Sequence, residues 1–96
     1  MYVRVVRFTD ATAERMDQLV ARIEAADGPP PDIPTTGIQI LFDEPNGTAV
    51  VLQFYESEDD MRLGDQAFRA MDAADTPGTR ASIDMCELKI ERHASR

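Results

Sequence analysis

Apolar and polar positions change rhythm several times along this chain, and each change marks an element. Residues 2–8, YVRVVRF, form a short run rich in β-branched residues, which predicts a strand. Thr9 or Asp10 can cap a following helix, in which Met16, Leu19, Val20 and Ile23 recur at helical spacing and Arg15, Gln18 and Arg22 fill the other face. Gly28 and the three prolines after it end that helix, because proline has no backbone N–H and disfavours helical geometry in the preceding residue. The loop GPPPDIPTT is therefore expected to be stiff. Residues 37–44 and 48–56 read as two strands joined by Asn46-Gly47, a strong hairpin signal. With a two-residue turn, Phe42 would face Val51, Ile40 would face Gln53 and Ile38 would face Tyr55.

Ser57, with Asp60 three positions on, makes an acidic capping box, and Glu58 and Asp59 suit the positive end of a helix dipole. Met61, Gly64, Phe68 and Met71 then form one helical stripe with Ala67 and Ala74 beside it, until Asp75-Thr76-Pro77-Gly78 breaks the helix. Residues 81–91 close the chain as an alternating strand. The order strand, helix, strand, strand, helix, strand predicts an α+β, ferredoxin-like βαββαβ domain over residues 1–96: a four-stranded antiparallel sheet with both helices on one face.

Two helices cover only one sheet face. Val3, Val5, Leu41, Val50, Leu52, Phe54, Leu88 and Ile90 are expected under them. Tyr2, Val6, Phe8, Ile38, Ile40, Phe42, Val51 and Tyr55, with Arg4, Gln53 and Glu87 among them, are expected on the other face. That second set is too apolar to be left in water, and a two-fold homodimer through the open sheet face is the expected solution.

Charge and composition narrow the function classes. At 96 residues and 10.7 kDa the chain makes one thin core, and 43% hydrophobic with 29% charged residues argues against disorder. The net charge of −8 disfavours nucleic acid and anionic membranes as partners. Cys86, the single cysteine, excludes an intrachain disulfide and falls where a buried thiol is expected. The charged start MYVRVVRF does not read as a signal peptide and no run reaches membrane-span length, so a cytoplasmic location is expected. No phosphate-cradling glycine loop, metal-ligand spacing or nucleophilic triad is present, and the run EDD is a solvated helix start. His93, the only histidine, lies near the C-terminus.

The element order, the apolar second face and the passage LQFYESEDDM resemble the dimeric α/β-barrel superfamily, in particular its antibiotic biosynthesis monooxygenase-like domains. The resemblance spans residues 2–91. In members with oxygenase activity the equivalent strand carries an Asn and, four residues later, a Trp; this chain has Val51 and Tyr55 at those places. Haem-degrading relatives place a His on the second helix, and residues 57–74 hold none.

The resemblance implies cofactor-free oxygenase or isomerase chemistry on a small aromatic or polyketide-like molecule, with no cofactor and no metal. Such chemistry needs a polar group that deprotonates or holds a phenol in a dry pocket. Tyr55 and Arg4 are the catalytic candidates. Arg4, Val6, Phe8, Ile40, Phe42, Val51, Gln53, Tyr55 and Glu87 are the expected lining of the barrel cavity. Arg4 and Glu87 are also candidates for a structural ion pair, since buried charges need partners. The alternative is a non-catalytic homodimer that binds a small apolar ligand or whose barrel is filled by Phe8, Phe42 and Met85.

Overall fold

The computed structural model describes residues 1–26, 28, 33–70 and 75–94. The elements are β1 (Tyr2–Thr9), α1 (Ala13–Ala25), β2 (Gly37–Asp43), β3 (Thr48–Tyr55), α2 (Glu58–Arg69) and β4 (Thr79–Glu87). All strand pairs are antiparallel and the sheet order is β2-β3-β1-β4, compatible with a ferredoxin-like fold. The prolines after Gly28, and Met71 and Ala74 of the expected stripe, lie outside the described residues.

Local chemistry explains the boundaries. Neither Thr9 nor Asp10 caps α1. Asp10 ends β1 in a left-handed conformation (φ 55°), which Asp tolerates better than most residues. Thr12 takes the cap, its Oγ1 accepting from Arg15 N at 3.2 Å. Ser57 caps α2 as expected, accepting from Asp60 N at 3.1 Å, with three acidic residues in the first turn. Glu58–Arg62 and Asp65–Arg69 then form ion pairs one turn apart.

The hairpin turn is four residues long, not two. Asp43 pairs with Thr48, so Phe42 faces Ala49, Ile40 faces Val51 and Ile38 faces Gln53. Pro45 lies inside the loop, Gly47 N donates to Glu44 O at 3.1 Å, and Gly47 adopts φ 63°, the left-handed geometry that closes such a loop. The register moves by two, so each side chain keeps its face. Ala11 N donates to Gly47 O at 2.9 Å, tying the turn to the start of α1.

The alternation separates the two sheet faces correctly, but the helices cover the opposite one from that expected. Met16 and Leu19 of α1 pack on Val6, Phe8, Ala49 and Val51, with Ile40, Phe42 and Ile83 at the margin. Met61, Ala67 and Phe68 of α2 pack with Tyr55, Tyr2 and Ile33. Val3, Val5, Leu41, Val50, Leu52 and Phe54 therefore form the face without helices, while Leu88 and Ile90 follow the end of β4. Cys86 pairs with Val3 on that same open face and is half-buried.

Candidate functional site in the helix-covered cavity

The helix-covered face holds a half-open cavity of about 460 Å³, lined by the sheet, α1, α2, the segment entering β2 and the segment entering β4. That size lies in the usual range for small-molecule sites. Val6, Phe8 and Val51 form an apolar floor, Ile40 extends it towards the sheet edge, and Leu19, Ile23 and Phe68 close it from the helices. The cavity lies within one chain, whereas the resemblance places it in a barrel between two subunits.

Two polar groups interrupt this surface from below. Arg4 is 2% exposed and Gln53 is 4% exposed; the pair register of β1 and β3 sets them side by side. Arg4 Nη1 donates to Gln53 Oε1 at 2.9 Å, and Arg4 Nε donates to Asp65 Oδ1 of α2 at 2.9 Å. Asp65 in turn accepts from Arg69 Nε at 2.8 Å, and the Arg4 guanidinium lies 5.5 Å from the Phe68 ring centroid. These bonds employ Nε and Nη1; among the described residues Nη2 has no partner.

Burial works to raise the Asp65 carboxyl, but the hydrogen bonds and charges of Arg4 and Arg69 outweigh it and hold the group below 3.8. Asp65 is thus a settled counter-ion and a poor base. The expected pair of Arg4 with Glu87 is absent. Arg4 sits opposite Met85, while Glu87 sits opposite Tyr2 and pairs with Lys89. Helix α2 supplies the carboxylate that Arg4 needs, and Glu87 instead lines a shallow recess with Tyr2, Met61 and Arg62.

Tyr55 is fully enclosed but does not line the cavity. Its ring lies under α2 at Gly64, where an added Cβ would stand 2.5 Å from Tyr55 Cζ and closer still to Oη. Glycine is required there because it lets the helix approach the ring. Among the described residues the hydroxyl has no hydrogen-bond partner. Burial first, and the nearby Asp65 charge next in the same direction, push the phenol above its ordinary value of 10, with Arg4 opposing. Such a group stays protonated at neutral pH.

Of the residues expected at the site, Arg4, Val6, Phe8, Ile40, Val51 and Gln53 line one cavity, and Phe42, Tyr55 and Glu87 do not. Sequence reasoning missed Asp65 and Arg80. Asp65 was discoverable from its position beside Gly64 and one turn before Arg69, but Arg80 depends on an irregularity in β4 that alternation hides. His93 is at the surface, 3.8 Å from Glu91. Among the described residues no three His, Cys, Asp or Glu side chains gather to hold a metal ion, and no helix is long and apolar enough to cross a membrane. Comparison with protein-family models and with curated proteins finds no match for this chain.

Proposed function

We propose that the protein binds a small, mostly apolar molecule of ring-system size in the helix-covered cavity, with Arg4 and Gln53 contacting an acceptor oxygen on it. The observation that carries this reading is a buried Arg–Gln pair beneath a mostly apolar volume of about 460 Å³. Burying such groups costs several kcal/mol unless they are well paired, and a site built this way fixes the orientation of a guest.

Binding is favoured over cofactor-free oxygenase or isomerase chemistry because no described group in the cavity is placed as a base. Asp75 is paired with Arg22 at 2.6 Å, Asp65 is held below 3.8 by two arginines, and the Tyr55 hydroxyl lies outside the lining. Arg4 still suits stabilisation of an enolate or phenolate that ionises on its own. Titration with 1,8-dihydroxyanthrone separates the readings. The binding account expects thermal stabilisation that saturates, about 2.7 kcal/mol at a hundredfold excess over Kd, with oxygen consumption no faster than without protein. Accelerated oxygen uptake that Arg4→Met abolishes would favour the enzyme, and no stabilisation across a panel of phenolic polycycles would overturn both.

The open sheet face supports a second proposal, a homodimer through Val3, Val5, Val50, Leu52 and Phe54. Leu41 on that face is 53% exposed. Arg7 and Asp84 lie on the same face, opposite Ser82 and Val5, and neither has an ion-pair partner among the described residues. A two-fold axis placed between these two positions would let each subunit's Arg7 approach the other's Asp84, the self-complementarity an isologous interface needs.

A further inference from the structure

Among the described residues the cavity carries more positive charge than its pairs neutralise. Its described lining holds Arg4, Arg22 and Arg80 against Asp75 alone, and Asp65 pairs with Arg4 from beside it. Asp75 pairs with Arg22 across the rim. Arg80 is half-buried and, among the described residues, has no carboxylate and no hydrogen-bond acceptor. In a chain of net charge −8, a guanidinium on the wall of a mostly apolar cavity with no partner among the described residues requires an explanation.

The backbone shows how it got there. Along β4, Met85 pairs with Arg4 and Ile83 with Val6, so odd-numbered residues face the helices. The register then slips: Arg7 pairs with Ser82, but Phe8 pairs with Arg80. Ala81 is the extra residue of a β-bulge, and the bulge reverses the parity so that Arg80 shares Phe8's face. Without the slip Arg80 would pair with Thr9 and point away from the helices. Bulges of this kind re-aim side chains next to binding sites.

We infer that Arg80 is an anion-binding residue and that the cavity takes an elongated apolar ligand with a carboxylate, sulfonate or similar anionic group at the Arg80 end. This rests on the cavity being the ligand site and specifies its ligand class. Phe8, the cross-strand partner of Arg80, is four residues from Arg4 on β1, about 13 Å at strand rise. That separation suits a fused polycycle held at both ends, with its acceptor at Arg4 and Gln53 and its anion at Arg80.

A matched probe pair tests this. 8-Anilinonaphthalene-1-sulfonate and N-phenyl-1-naphthylamine share one ring framework and differ by the sulfonate, and both report binding by fluorescence. The wild-type protein is expected to bind the sulfonate about tenfold more tightly than the neutral amine, with the difference shrinking at high salt. Arg80→Gln is expected to weaken sulfonate binding about tenfold and leave amine binding within twofold, and Arg80→Lys to restore part of the difference. Equal affinities for the two probes, or an equal loss for both in Arg80→Gln, would overturn the role of Arg80 while leaving the cavity reading intact. Binding of neither probe would remove the cavity reading and this inference with it.

Discussion

Tyr55→Phe is expected to stabilise the protein. The Tyr55 side chain is completely enclosed and its hydroxyl lacks a partner among the described residues, since Arg4 donates to Asp65 and Gln53 instead. An unpaired buried hydroxyl costs about 1–3 kcal/mol. Removing it sacrifices a few oxygen contacts with Gly64 at about 0.1–0.2 kcal/mol each, roughly 0.5 kcal/mol in all. The net gain is then about 0.5–2.5 kcal/mol, which in urea unfolding at fixed protein concentration moves the midpoint up by roughly 0.2–2.5 M. A pH arm sharpens the test. Because the folded-state phenol titrates above 10, the unfolded chain ionises first, so the stability present below pH 10 is lost as pH rises through the folded value. Tyr55→Phe removes that part of the alkaline loss. A variant less stable than wild type by more than about 1 kcal/mol, or with an unchanged alkaline limb, would refute the reasoning and show that the hydroxyl is bonded.

Other substitutions probe the same frame. Gly64→Ala should destabilise by about 3 kcal/mol in urea unfolding, and adding Tyr55→Phe should recover little of it, because the new Cβ also meets Cζ and Cε1 at 2.5 and 2.7 Å. Asp65→Asn should cost about 3 kcal/mol at neutral pH by leaving the buried Arg4 without its counter-ion. Since the folded Asp65 titrates below 3.8, its contribution is present above 3.8 and lost as pH falls through the folded value, so the variant's acid limb should be shallower. Leu52→Asp on the open face should convert a species of twice 10.7 kDa into one of 10.7 kDa by light scattering, while helix content stays the same. A wild-type monomer at micromolar concentration would contradict the dimer.

How much of this was legible depends on which physical signal carried each feature. Helix α2 was readable from Ser57 to Phe68 because a capping hydroxyl, an acidic first turn and a stripe at helical spacing all agree. The sorting of β1 and β3 side chains into two faces was readable from period-two alternation, and it survived a hairpin two residues longer than Asn46-Gly47 suggests. Which face meets the helices was not readable, because both sets are about equally apolar. Arg4 and Gln53 even argued for the wrong answer: their polarity is satisfied by Asp65 and by each other, contacts that exist only once α2 is docked. Six residues of the cavity, Arg4, Val6, Phe8, Ile40, Val51 and Gln53, are legible from the alternation, because it places them on one sheet face. Arg80 was invisible because a single extra residue, Ala81, changes its side.

On the proposal above, the cavity between sheet and helices, not the open sheet face, receives the ligand. Backbone amide chemical shifts during titration with N-phenyl-1-naphthylamine test it most directly. Saturable shifts are expected, centred on Val6, Val51 and Gln53, with Leu19 and Ile23 of α1 moving with them. Shifts centred on Val5, Leu52 and Phe54, with the cavity residues unmoved, would contradict it.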